Sequence, residues 1–305
     1  MQNLDLCVVI PTFNRKKQLL ELLIQLKQQK TAQLKIGIVV VVDGSTDGTL
    51  EMLHADFPEV FVVKGDGNWW FTRSMNEGCK YAVEVLGAKL IITSNDDLVL
   101  ANDEYFLRIH KNFVECGGNC VIGSVAYSLK EPRMITFSGI EKQSKLTLKN
   151  YNYIRPYTVI KPETMNGLKP SVTLSTRGML IESSILKKIN YLDEKTFPQY
   201  ASDYDVVLRA GKAGAKIYVT YDAYIFENMD LTSSGNPRLT KSLRHYLYNI
   251  FFNKYSSNYF FNFLNMSWRF GLKILFPLYL INAILSIGYV YVKYKFYLNK
   301  RIQND

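Results

Sequence analysis

Asn95-Asp96-Asp97 follows the apolar run Leu90-Ile91-Ile92 after Thr93-Ser94 and precedes Leu98-Val99-Leu100. Carboxylates where a buried strand ends are what an open α/β sheet uses to hold a ligand at its carboxyl edge. Side-chain oxygens at alternate positions, Asn95 and Asp97, can aim at one point, which suits a hard divalent cation. The same run is also good turn chemistry. Further acids stand at comparable places: Asp43 closes Val40-Val41-Val42, and Asp203 and Asp205 open an expected helix. Acids in a first helical turn also serve as caps and stabilise the helix dipole. Two residues apart, Asp203 and Asp205 do not share a helix face, so only one is expected to reach a given substrate.

The elements that must position these acids follow from hydrophobic periodicity. Residues 6–10 read as a strand buried on both faces and ended by Pro11. Residues 17–29, 46–54 and 72–86 have helical patterns, and 36–42, 60–63 and 90–93 read as strands. Strands alternating with helices predict an α/β domain with a mostly parallel sheet and right-handed crossovers. Beyond about Cys120, the pieces 121–127, 134–137, 146–148 and 172–181 read as added antiparallel or mixed strands. A helix over 200–211 and a strand over 216–226 complete the domain. Residues 229–237 form a turn-rich linker, dividing a domain at 1–235 from a helical segment at 236–305.

The net charge of +10 is concentrated in that last segment, where ten Lys/Arg and a single acid follow position 237. Residues 1–237 are left close to neutral, which argues against nucleic acid as a partner. The four cysteines, Cys7, Cys79, Cys116 and Cys120, are spread thinly. No second Cys or His pair lies near Cys116 and Cys120 to complete a zinc site, and nothing asks for an oxidising compartment. The N-terminus shows no secretory-signal pattern.

Four segments need one explanation: residues 8–15 (VVIPTFNR), 40–49 (VVVDGSTDGT), 94–97 (SNDD) and 197–210 (FPQYASDYDVVLRA). In order and spacing they resemble the family 2 glycosyltransferases over roughly residues 5–228. The resemblance implies an inverting enzyme with a GT-A fold that uses a UDP- or dTDP-sugar donor. It implies that Asp43 contacts the base or ribose, that Phe13 packs near the base, and that Pro11 and Thr12 supply further nucleoside contacts. The alternative for Asp43-Gly44-Ser45 is a turn in which Ser45 or Thr46 caps the next helix. Asn95-x-Asp97 matches the family's metal-binding Asp-x-Asp with Asn in the first place, implying Mg²⁺ or Mn²⁺ on the donor diphosphate, with Asp96 touching ribose or sugar. Asp203 matches the catalytic base, although Ser202 replaces the family's Glu, and Asp205 is the runner-up. Gly178 matches a glycine on the acceptor side. Trp69 and Trp70 either stack on a sugar or plug the core edge, and Arg73 pairs with phosphate or with a surface acid. Where many relatives carry a metal-binding His, this chain has Ile225-Phe226-Glu227-Asn228, with Glu227 or Asn228 as substitutes.

Residues 274–292 carry no formal charge but include Pro277, Asn282, Ser286 and Gly288, a poor membrane span. Aromatics beside Lys and Arg suit an interfacial segment on an anionic leaflet; a helix packed on the domain or in a dimer interface is the alternative. The expectation is a transferase at the cytoplasmic face of the cell membrane, acting on a glycan or polyprenyl-linked acceptor in surface-polysaccharide synthesis. The rival readings are an inactive GT-A-like binder of nucleotide or glycan, and a membrane assembly partner.

Overall fold

The computed structural model describes residues 2–228 and 243–302. The linker expected at 229–237 and the domain boundary at 235/236 lie outside the described residues. The first half alternates strand and helix: β1 (Leu6–Thr12), α1 (Lys16–Lys27), β2 (Ile36–Asp43), α2 (Thr49–Asp56), β3 (Phe61–Gly65), α3 (Trp70–Lys80) and β4 (Leu90–Thr93). Strands β1–β4 are parallel in the spatial order β4-β1-β2-β3. The Val/Ile/Leu runs of β1, β2 and β4 are buried on both faces, as a helix-covered parallel sheet requires, whereas the edge strand β3 is only half-buried.

Strand β1 runs two residues beyond its expected end, and Pro11 pairs in register with Val41. The Val9 carbonyl accepts from Ser94 N–H on the β4 side. Pro11, two positions on, would face the same side, where β4 has already ended, so its missing N–H breaks no ladder bond.

The chain continues through β5 (Leu98–Leu100), α4 (Tyr105–Glu115), β6 (Cys120–Ser128), β7 (Met134–Phe137), β8 (Ile140–Gln143), β9 (Asn150–Asn152), β10 (Thr158–Val159) and β11 (Leu168–Pro170). Then come β12 (Met179–Glu182), α5 (Ser183–Lys188), α6 (Ser202–Lys212) and β13 (Lys216–Glu227). Antiparallel β12 lies between β4 and β6 and makes the sheet mixed. β13 pairs parallel to β6 and antiparallel to β5.

Two expected strands are corrected. Residues 146–148 lie in the connection of the β8–β9 hairpin, where Leu148 takes φ +57° and Leu146 is exposed. Of residues 172–181, only those from Met179 onward are strand; the chain turns at Gly178, whose φ is +65°.

The C-terminal segment is helical: α7 (Leu243–Phe251), α8 (Phe260–Phe270) and α9 (Phe276–Ile302). Helix α8 packs on the α/β domain. Arg269 donates to Asp205 Oδ1 (2.8 Å), Asp193 Oδ2 (2.5 Å) and Thr196 Oγ1 (2.9 Å). Tyr279 of α9 is buried and donates to the Lys145 carbonyl at 2.6 Å. The outer side of α9 is different: Ile274 just before it is 87% exposed, and Ile281, Ile284, Leu285 and Tyr289 also face outward. Among the described residues, no helix is long and apolar enough to cross a membrane.

Candidate active site

The carboxyl ends of β1, β2 and β4, the start of α6 and the end of β13 converge on a cleft of about 810 Å³. Pro11, Thr12, Phe13, Asp43, Trp70, Asn95, Asp96, Asp97 and Asp203 all line it. A parallel sheet concentrates ligand-binding groups at this edge because every loop leaving a carboxyl end opens there.

The loops after β1 and β2 are stitched together. Asn14, at φ +52°, accepts from Thr46 N–H at 2.8 Å, and its own N–H donates to Ser45 Oγ at 3.0 Å. Neither Ser45 nor Thr46 caps α2, whose N-cap is Gly48; Asp47 just before it accepts from the N–H (3.2 Å) and hydroxyl (2.5 Å) of Thr49. The buried Asp43 accepts from three backbone N–H groups, those of Gly67 (2.8 Å), Trp69 (2.9 Å) and Trp70 (3.1 Å). It therefore clamps the β3–α3 loop over the end of β2. Gly44 permits that closeness: at φ +70°, a Cβ there would come within 2.6 Å of Gly67 Cα.

Asp96 is buried and doubly held, accepting from Thr12 Oγ1 at 2.8 Å and from Arg15 Nη1 at 3.1 Å. Burial pushes its carboxyl up to about 6, against the opposing pull of Arg15 and Thr12. With both oxygens engaged, Asp96 ties β1 to the β4–β5 turn. Arg15 Nη1 also reaches Asp97 Oδ2 at 2.8 Å. Asp97 Oδ1 has no hydrogen bond among the described residues, nor does the half-buried Asn95 carboxamide.

Asn95 and Asp97 thus offer two oxygens at the cleft. Among the described residues, no group of three His, Cys, Asp or Glu could hold a metal, so the described part of the cleft offers at most a partial ligand set. That set fits Mg²⁺ or Mn²⁺, which is commonly held by one or two carboxylates with substrate phosphates completing the shell.

Asp203 lies in the first turn of α6, with Oδ1 accepting from Tyr204 N–H at 2.9 Å. Desolvation raises its pKa, with the Tyr204 hydrogen bond and the charge of Arg177 acting in the opposite sense. Arg177 forms an ion pair with Glu227, and both line the cleft. Glu227 arrives there because β13 pairs it with Leu98, next to Asp97.

Several expected site residues fall elsewhere. Asp205 is fully buried, with one oxygen on Arg209 (2.7 Å) and the other on Arg269, so it faces away from the cleft. Gly178 is a buried turn whose carbonyl accepts from Tyr105 and Ser124. Arg73 is exposed, sits over the Trp69 ring at 4.9 Å, makes no ion pair with an acid among the described residues and lies outside the cleft lining. Trp69 packs against the core, whereas Trp70 is in the cleft wall, stacked on Tyr255 at 3.9 Å.

Arg15, Arg177 and Gln199 also line the cleft, and no motif in the sequence assigns them a role. Gln199 lines the cleft and accepts from Phe71 N–H at 2.9 Å. The only local signal for the two arginines was a cation inside an otherwise uncharged motif.

Comparison with known proteins bears on the same segments. The sequence model of the family described as "Glycosyl transferase family 2" matches residues 7–173. The "Uncharacterized glycosyltransferase YfnE" of Bacillus subtilis (strain 168) is 30% identical over 118 residues, 36% of this chain and 29% of that protein. The crystal structure of S. aureus TarS 1-349 superposes with a TM-score of 0.55 at 21% identity, covering 73% of this chain and 60% of that one. Its complex with UDP-GlcNAc gives a TM-score of 0.54, also at 21% identity, over 73% of this chain and 58% of that one. The chain thus spans less than two thirds of each of these relatives.

Proposed function

Because the chain belongs to glycosyl transferase family 2 and has the GT-A fold, we propose that its cleft takes a nucleotide-diphosphate sugar and transfers the sugar with inversion to an acceptor hydroxyl. The observation that carries this reading is the pairing of opposed groups in one cleft. Open oxygens of Asn95 and Asp97 lie at the end of β4, and the desolvated carboxylate of Asp203 lies at the start of α6. The TarS complexes with UDP and UDP-GlcNAc support a uridine donor.

In this mechanism Asp203 takes the proton from the acceptor hydroxyl. The hydroxyl oxygen bonds the anomeric carbon as the bond from that carbon to the diphosphate breaks on the opposite face. A raised pKa makes Asp203 a stronger base than an exposed carboxylate. Its Oδ2 is the accepting atom, because Oδ1 is engaged by Tyr204 N–H. Pro11, Thr12 and Phe13 border the nucleoside, and Asp43 holds the β3–α3 loop that closes over it. Asp97 and Asn95 would hold Mg²⁺ or Mn²⁺, which when bound offsets charge on the departing diphosphate. Arg15 fixes the orientation of Asp97 toward that role.

The C-terminal segment supports a site of action at the cytoplasmic face of a membrane, with a lipid-linked glycan as acceptor. Phe276 at the start of α9 packs edge-on against Trp268 at 5.1 Å, the Lys273 ammonium lies 4.0 Å from the Trp268 ring centroid, and the outward apolar residues follow along α9. An aromatic–cation pair beside exposed aliphatics suits an anionic lipid surface, and the helix would lie along it.

Thermal unfolding with a panel of UDP- and dTDP-sugars, with and without Mn²⁺, tests the donor assignment. A true donor raises Tm through mass action, and the increment should shrink without the cation. No shift with any member of the panel would refute the assignment.

A further inference from the structure

The family match ends at residue 173, yet the C-terminal segment reaches the cleft. Ser257 and Asn262 line it together with Asp203. Asn262 is only 6% exposed, and neither its carboxamide nitrogen nor its oxygen has a hydrogen-bond partner. Ser74 of α3 is 2% exposed, lines the same cleft, and has an equally unpartnered Oγ. Half of the six buried, unpartnered side-chain polar atoms among the described residues belong to these two cleft residues. Leaving such a group unpaired is costly, so each calls for an explanation.

Helix α8 is fixed on both sides of Asn262. Before it, Tyr255 stacks on Trp70 with an interplanar angle of 13°; after it, Arg269 is locked to Asp193 and Asp205. The carboxamide is therefore held in place by contacts that do not involve it. A carboxamide presents two donors and one acceptor in a plane, and a serine hydroxyl can do either. Neither carries charge, which suits neutral hydroxyls better than phosphate.

We propose that Asn262 and Ser74 form a carbohydrate subsite, hydrogen-bonding sugar hydroxyls in the cleft, so that the C-terminal segment is a wall of the active site as well as a membrane-facing element. This rests on the reading of the cleft as a nucleotide-sugar transferase site. The hydroxyls belong either to the donor sugar or to the acceptor sugar, and the two sources give different kinetics.

The test uses the full chain and compares wild type with Asn262→Ala and Ser74→Ala. Affinity is measured by calorimetry with UDP, UDP-glucose, UDP-N-acetylglucosamine and dTDP-rhamnose in the presence of Mn²⁺, and transfer is measured to octyl glucoside and octyl N-acetylglucosaminide. Asn262→Ala removes an amide that bonds nothing in the protein, so its Tm stays level or rises while UDP affinity is unchanged. If the donor sugar occupies the subsite, affinity for the nucleotide sugar falls about tenfold, the loss of one good hydrogen bond. If the acceptor occupies it, donor affinity holds and the KM of the octyl glycoside rises by a similar factor. Variants matching wild type in both measurements would overturn the subsite and leave the transferase reading standing. A fall of several degrees in Tm with loss of UDP binding would overturn it in favour of a structural role. A wild type that binds no nucleotide or nucleotide sugar would overturn both readings.

Discussion

Replacing Arg269 with Ala tests whether the C-terminal segment is docked on the α/β domain. Its guanidinium joins Asp193, Thr196 and Asp205 and lies over the Phe197 ring at 5.2 Å. Asp205 is fully buried, so the variant leaves its Oδ1 in the interior without that partner. Removing one member of a buried ion pair costs roughly 3–5 kcal/mol. Two features reduce that figure here: Arg209 stays on Asp205 Oδ2 at 2.7 Å, and the Arg269 side chain is itself 31% exposed. A loss of about 2 kcal/mol follows, equivalent to about 4–8 °C in Tm for a cooperative unit of this size. Calorimetry gives the shift, and limited trypsinolysis reports whether cleavage after Arg244, Lys254 and Lys273 accelerates. Arg269→Lys keeps the charge without the planar fork and should fall between the two. A Tm within 1 °C of wild type, with unaltered proteolysis, would refute the docking.

Gly178→Ala at φ +65° would place a Cβ 2.6 Å from Tyr105 Oη and 3.0 Å from Ser124 Oγ. A loss of about 2–4 kcal/mol is expected, read as a lower urea midpoint at unchanged m; an unshifted midpoint would contradict the turn geometry. The raised pKa of Asp203 fixes a pH dependence, since the base works only when ionised. The acid limb of kcat should lie above the ordinary carboxylate range and move further up in Arg177→Met, which removes an opposing positive charge. The stability sign is the reverse: the folded state holds this proton more tightly, so stability from this group falls as pH rises through the raised pKa. Asp203→Asn should therefore be at least as stable as wild type at pH 8, by calorimetry. In flotation assays the full chain should bind phosphatidylglycerol vesicles, and Lys273→Glu should weaken binding roughly five- to thirtyfold; equal binding to phosphatidylcholine vesicles would remove the electrostatic component.

Much of the site is legible in the sequence because its signals are local. A Val/Ile run followed by Asp43 or by Asn95-Asp96-Asp97 marks a strand end within a few residues, and Ser202-Asp203 marks a helix start. What escapes the sequence is set by chain return. Arg15 meets Asp96 and Asp97 across more than eighty residues, and β13 brings Glu227 beside Asp97 only through its pairing with β5. Asp43 shows the limit of a motif: its position was readable, but not the three N–H groups that engage it. Asp203 and Asp205 look equivalent in sequence, and helix periodicity separates them, turning Asp205 inward to Arg209 and Arg269. Residues 146–148 carry an apolar pattern that suits a strand, yet two flanking strands pair across them as a hairpin.

Sugar transfer from a nucleotide donor with Asp203 as base requires that the diphosphate leave as the acceptor hydroxyl loses its proton. Its most direct measurement is release of nucleoside diphosphate from the donor panel by wild type and Asp203→Asn, with glycoside acceptors and Mn²⁺ present. Release with at least one donor is expected from wild type, and a rate at least a hundredfold lower from the variant, whose donor affinity is retained. Equal rates in the two proteins, or no release by wild type with any donor, would contradict it.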